Sequence, residues 1–138
     1  MPSAKAEYAC VALVELAARH EDAHPVRLKD LAETHGIPGR FLVQILLQLK
    51  AAGLIRTVRG AAGGYRLARP PAKISLANVI DAVERSAAYR TDATESTAVA
   101  AVRAAWDEAA AAERTVLERT TLAELVQRVR GESFVYQI

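Results

Sequence analysis

Apolar positions recur along this chain with two periods, and the change from one to the other marks its organisation. Between Ser3 and Arg19, Tyr8, Val11, Ala12, Leu13, Val14, Leu16 and Ala17 leave little polar circumference. The spacing predicts a first helix buried against other elements or another subunit. Ser3 is placed to cap it, and Glu7 falls in or near the first turn, where the helix dipole favours a carboxylate. The polar stretch His20 to His24 and then Pro25 end it. Leu28, Leu31 and Ala32 give i, i+3, i+4 spacing for a short second helix over Leu28–His35, with Gly36 placed for a left-handed cap. Pro38 opens a third helix that runs to about Ala52 and stops at Gly53. Two helices joined by a tight turn fit a helix-turn-helix, a spacing that other helical hairpins share.

The third helix separates into faces at about 100° per residue. Phe41, Leu42, Ile45, Leu46 and Leu49 share a broad face expected in the core, while Arg40, Gln44 and Gln48 form a polar stripe flanked by Val43 and Leu47. Arginine pairs with guanine O6 and N7, and glutamine with adenine N6 and N7, so the stripe suits a major groove. The same residues suit a solvated helix face, and the stripe alone does not choose between the two.

The period then falls to two. Ile55 to Arg59 alternates as a strand, Gly60-Ala61-Ala62-Gly63-Gly64 reads as a turn, and Tyr65 to Ala68 returns as a second strand. Arg56, Arg59, Arg66 and Arg69 sit on and around this hairpin. A phosphate-binding loop is excluded, because no Gly-Lys-Ser/Thr follows and the turn leads into a strand. A basic hairpin directly behind a helix-turn-helix reads instead as a wing reaching for DNA.

Beyond Pro70-Pro71, Ser75 is a candidate cap for a helix from Leu76 to about Arg85, with Leu76, Val79, Ile80 and Val83 on one side. A polar linker spans about residues 86–97. The longest helix is expected from Thr97 to Arg119, with a narrow apolar stripe of Val99, Val102, Trp106, Ala109, Val116 and Leu117. Such a helix extends about 35 Å, more than a core this small covers. Its stripe reads as a dimer seam, with packing against the first helix as an alternative that can hold at the same time. Leu122, Leu125, Val126 and Val129 mark a last amphipathic helix, expected to close at Gly131.

Composition changes this picture in two places. The net charge over 138 residues is only +2, but residues 34–80 hold seven basic side chains (Arg40, Lys50, Arg56, Arg59, Arg66, Arg69 and Lys73) and no acid. That is an electrostatic footprint for a polyanion. One cysteine, Cys10, excludes an intramolecular disulfide and any four-cysteine cluster within the chain. Its apolar helix suggests a buried, inert thiol. His20, His24 and His35 lack metal-ligand spacing on a common face, so no metal site and no cofactor are expected. No nucleophile–base pair, carboxylate dyad or nucleotide loop appears, so no enzyme is expected. No apolar run approaches membrane-spanning length, which with the lone cysteine suggests a cytoplasmic protein.

With these elements in place, the sequence resembles the IscR/NsrR-like (Rrf2) family of bacterial winged-helix regulators. The resemblance rests on Tyr8-Ala9, residues 26–33, Gly36-Ile37-Pro38, Leu42-Val43-Gln44 and residues 49–55. It continues through residues 58–71, its most distinctive stretch, then Ile74-Ser75-Leu76, residues 79–84 and residues 121–126. It implies a homodimeric transcription regulator, usually a repressor, on a pseudo-palindromic operator in double-stranded DNA. The third helix would enter the major groove and the wing the adjacent minor groove. Two departures stand out. Sensor members carry three cysteines around the linker, where they hold an iron–sulfur cluster, and residues 86–106 contain none. Glu7 occupies a position from which some members donate a carboxylate, and here it reads as a helix-end charge. Val43 stands where many members have Glu, so operator preference should differ.

The fold expected is mainly α with a small β-hairpin: a winged helix-turn-helix domain (1–85), a linker loop (86–97), and a long dimerisation helix with a C-terminal helix (98–138). DNA contacts are expected from Arg40, Gln44, Gln48, Lys50, Arg56, Arg59, Gly60, Gly63, Gly64 and Tyr65. Dimer contacts are expected from Val99, Val102, Trp106, Ala109 and Val116. A cluster-free regulator controlled by a small ligand, a partner protein or Cys10 oxidation is the alternative.

Overall fold

A computed structural model describes residues 2–84 and 91–137, the side chains of 132–137 excepted. Helix α1 (Ala4–Ala18) begins where Ser3 accepts a hydrogen bond from the Ala6 amide. Helices α2 (Leu28–His35) and α3 (Gly39–Ala51) follow, separated by Gly36 at φ 64°. In that left-handed cap glycine avoids a Cβ clash. Pro38 lies just before α3 rather than inside its first turn, and its carbonyl accepts from the Phe41 and Leu42 amides.

Strands β1 (Ile55–Val58) and β2 (Gly64–Leu67) pair antiparallel, with Ile55 opposite Leu67 and Val58 opposite Gly64. A third chain segment joins them. Val26 donates to the Tyr65 carbonyl at 3.0 Å and accepts from the Tyr65 amide at 2.8 Å. A single bridging residue has no period, so the hydrophobic pattern did not reveal it. A 3-10 turn (Pro71–Lys73) leads into α4 (Leu76–Val83), which opens with a reciprocal Ser75–Asn78 capping box. Helix α4 stops two residues short of the expected Arg85, which lies outside the described residues together with 86–90 of the expected linker.

Helix α5 (Thr97–Arg119) has the expected bounds, and α6 (Leu122–Gln137) runs through Gly131 rather than ending there. Gly131 does not take the positive φ that a left-handed cap needs, so nothing stops the helix at that residue. One apolar core joins α1, α2, α3, the hairpin, α4 and α6 through fully buried Leu13, Leu31, Leu42, Ile45, Leu49 and Leu122. Phe41 was expected in that core. It is instead 39% exposed at its edge, under the Arg40 guanidinium and tilted against Tyr8. Among the described helices none is long and apolar enough to cross a membrane.

Candidate nucleic-acid interface

Helix α3 turns one side to the core and leaves the other bare. Leu42, Ile45, Leu46 and Leu49 are buried, which fixes the helix's rotation. At about 100° per residue, Arg40 is then opposite Leu49, with Leu47 about 20° to one side of it and Gln44 about 40° to the other. Arg40, Val43, Gln44, Leu47 and Lys50 are all exposed. Gln48 departs from its expected stripe. It is half-buried on the flank of the helix, and its Oε1 is enclosed without a hydrogen-bond partner. Gln48 therefore does not share the open surface of Arg40 and Gln44.

The hairpin leaves the end of α3 directly. The Leu54 amide donates to the Leu49 carbonyl at 3.0 Å, and the Ala68 amide to the Leu54 carbonyl at 2.9 Å. Arg56, Arg59 and Gly60 are exposed, and Gly60 has φ 110°, which L side chains rarely adopt. Gly63 and Gly64 are half-buried, and crowding by backbone explains both. A Cβ on Gly63 would overlap the Val58 carbonyl oxygen and lie 2.8 Å from that of Gly60. A Cβ on Gly64 would overlap the Val26 carbonyl oxygen and lie 2.8 Å from its carbon. These two glycines let the strands close, which is a structural duty apart from any contact with DNA. Tyr65 is likewise half-buried, packed against the core with its backbone engaged by Val26.

Two arginines tie the hairpin down. Arg27 donates to the Ala61 carbonyl at 2.8 Å, holding the tip, and Arg66 donates to the Asp22 carbonyl at 2.7 Å. Arg66 belongs to the acid-free stretch, yet it is committed to the segment before α2. Neither tether was legible, because a side chain bonding a remote carbonyl leaves no spacing signature.

The second candidate surface is α5. None of its side chains is fully buried, and Val102, Trp106 and Val116 are 50%, 67% and 45% exposed. Ala109 is exposed and Val99 half-buried. The helix is anchored at its C-terminal end, where Arg114 donates to both Asp81 carboxylate oxygens at 2.6 and 2.8 Å and to Glu118 at 2.7 Å. The Arg114 guanidinium holds the Asp81 carboxyl below its ordinary value. Beside it, an apolar groove of about 860 Å³ lies between α1 and α6, lined among others by Val11, Val14, Ile80, Leu125 and Val129. Cys10 lines the same groove. Burial, then Glu84 and Glu7, push its thiol up to about 11, so it stays protonated and unreactive near neutral pH.

Residues 2–128 match the sequence profile of the Rrf2 family, described as an iron-dependent transcriptional regulator. The HTH-type transcriptional regulator IscR of Cereibacter sphaeroides is 34% identical over 133 residues, 91% of this chain and 86% of its own. CymR of Bacillus subtilis, also an HTH-type transcriptional regulator, is 32% identical over 134 residues, 97% of this chain and 95% of its own. Among solved structures, T. potens IscR superposes with a TM-score of 0.79 at 31% identity, covering 94% of this chain and 88% of that one.

The family description names iron, and the donors present here do not fit an iron centre. The chain has one cysteine, and among the described residues no three His, Cys, Asp or Glu side chains converge.

Proposed function

The chain belongs to the Rrf2 family of transcriptional regulators, and on that premise we propose that it is a homodimeric, sequence-specific DNA-binding repressor of the cytoplasm that works without an iron–sulfur cluster. Residues 1–85 form the DNA-binding unit, 86–97 the linker, and 98–138 the dimerisation unit. The observation that carries the reading is the coincidence of charge and exposure. The one long stretch without an acid supplies both α3 and the hairpin, and its Arg40, Lys50, Arg56 and Arg59 point to solvent. Phosphates meet these cations, while α3 lies in the major groove with Arg40 and Gln44 within reach of base edges.

The bare α5 supports the dimer. Its Val102–Trp106 stripe and the open α1–α6 groove are both apolar surfaces of one chain, and a second copy covers both through a two-fold exchange. Trp106 is the anchor: a large, exposed aromatic in the middle of an apolar stripe is the residue type that dominates interface energetics. Trp106→Ala should weaken the dimer by about 2 kcal/mol or more, read as a shift to monomer in light scattering at micromolar protein.

Enrichment from a random duplex pool, followed by fluorescence anisotropy against a scrambled duplex over a salt series, tests DNA recognition. Equal affinity for both duplexes with no salt response would overturn it. An absorption spectrum of anaerobically purified protein tests the cluster-free state, because a bound cluster absorbs in the visible range.

A further inference from the structure

Leu47 lies on the outward side of α3, about 20° round the helix from Arg40. It is 63% exposed, and Val43, one turn earlier on the same side, is 47% exposed. A single exposed leucine is ordinary. Here two aliphatic side chains at i, i+4 spacing form one exposed patch on the outward side of the helix, with Lys50 on one flank and Arg40 and Gln44 on the other. A solvated face with that border would gain nothing from an exposed leucine and valine.

The border identifies the occupant. Cations surround the patch, and the stretch from 34 to 80 carries no acid, so the complementary surface is a polyanion. In the major groove of a DNA duplex made of the four ordinary bases, the one apolar group on offer is the thymine C5 methyl. We propose that Val43 and Leu47 are specificity-determining residues that read thymine methyl groups. The preferred operator then carries thymine at the one or two positions of each half-site that face the middle of α3. This inference rests on the reading that α3 enters the major groove, and it adds what the helix recognises there. Arg40 and Gln44, along one side of the patch, contact the neighbouring base edges through hydrogen bonds, so the apolar contact lies beside polar ones.

The test separates the inference from its premise. The 138-residue chain enriches a duplex from a random pool of duplexes about 30 base pairs long, and the winner is resynthesised with deoxyuridine replacing each thymidine in turn. That replacement deletes the methyl and keeps the base pairing. Affinity should fall about fourfold at each contacted position, the value of one buried methyl-sized group, and remain unchanged elsewhere. In Leu47→Ala or Val43→Ala the corresponding deoxyuridine penalty should vanish. In Arg59→Ala overall affinity should fall while the penalty persists. Both aliphatic residues are exposed, so their truncation leaves the core intact.

Tight binding that is indifferent to every deoxyuridine would overturn the methyl reading and leave DNA recognition standing. No enrichment at all would overturn the premise itself. A Leu47→Ala variant with altered oligomeric state and unaltered DNA affinity would assign the patch to a protein contact, and the inference would fail.

Discussion

Gly64→Ala isolates what holds the wing in place. The β2 backbone passes so close to Val26 that an added Cβ would overlap the Val26 carbonyl oxygen, and the nearby atoms are all backbone. They cannot rotate away as a flexible side chain would. Gly64 does not have a positive φ, so alanine is acceptable to the local conformation and the cost is steric. The strand must retreat from Val26, and the two hydrogen bonds between Val26 and Tyr65, at 3.0 and 2.8 Å, lengthen or break. At about 0.5–1.5 kcal/mol each, their loss destabilises by roughly 1–3 kcal/mol. For a chain of this size that corresponds to a fall in melting temperature of roughly 3–10 °C.

The wing would move with the strand, so operator affinity should fall and the salt dependence flatten by about one counterion if one phosphate contact is lost. Gly131→Ala is the matched contrast. Gly131 lies exposed inside α6 with nothing within 4 Å of an added Cβ, and alanine there should stabilise by about 0.5–1 kcal/mol through helix propensity. Thermal melts of both variants beside the parent chain decide the matter. An unchanged melting temperature for Gly64→Ala, or a fall for Gly131→Ala as large as that for Gly64→Ala, would refute the steric reasoning.

Two further outcomes follow from named groups. Arg114 holds the folded-state pKa of Asp81 below its ordinary value of 3.8, so the pair's stabilisation is present above that pH and is lost as pH falls through the lowered folded value. Melts between pH 7 and pH 3 should show Asp81→Asn less stable than the parent at neutral pH, with the gap closing at the acid end. Arg59→Ala should weaken binding to an enriched duplex. A unit decrease in salt slope with specificity retained marks a phosphate contact, whereas relaxed specificity marks a base contact, and anisotropy over a salt series distinguishes them.

Much of this architecture was legible because it is periodic. The bounds of α2 and α5 followed from the spacing of Leu28, Leu31 and Ala32 and from the polar breaks around Thr97 and Thr120. The caps at Ser3, Gly36 and Ser75 were legible from residue type. What escaped is non-local or one residue long: the Val26 bridge, the Arg27 and Arg66 tethers, and the steric demand on Gly63 and Gly64. Each depends on a second chain segment passing close by, which a pattern along one segment does not encode.

The candidate interface is legible in direction but not in depth. Arg40, Gln44 and Gln48 were grouped by counting fours, but steps of four drift by about 40° each on a helix of 3.6 residues per turn. After two steps Gln48 has rotated off the outward side to the half-buried flank, while Leu47 stays on the outward side close to Arg40. That correction needed only the angle, so it was available from the sequence. Phe41 sits near the edge of the core face, and its exposure shows that the angle fixes direction and leaves the depth of burial to the neighbours.

The joint between α4 and α6 decides how strictly a dimer could measure its operator. On the homodimer reading, α5 makes the partner contacts and α3 the base contacts, so the link between them sets where the two recognition helices land. That link is made of backbone. Leu76 donates to the Thr120 carbonyl at 2.9 Å, and Leu122 donates to the Ile74 carbonyl at 3.0 Å. Thr120 and Leu122 are buried, and Arg114 clamps Asp81 from the last turns of α5. A helix end held by two backbone bonds, a buried leucine and a two-pronged ion pair cannot swing without breaking several of them together. Each subunit is then a rigid arm, and half-site spacing near one DNA turn, roughly 34 Å, follows from how the α5 helices cross. Inserting one base pair between half-sites shifts one of them by about 3.4 Å and about 35°, more than such an arm can follow. Affinity for the expanded duplex should fall to the level of a single half-site in anisotropy titrations. Equal affinity for both spacings would mean that the joint bends and that the rigidity inferred from these bonds is wrong.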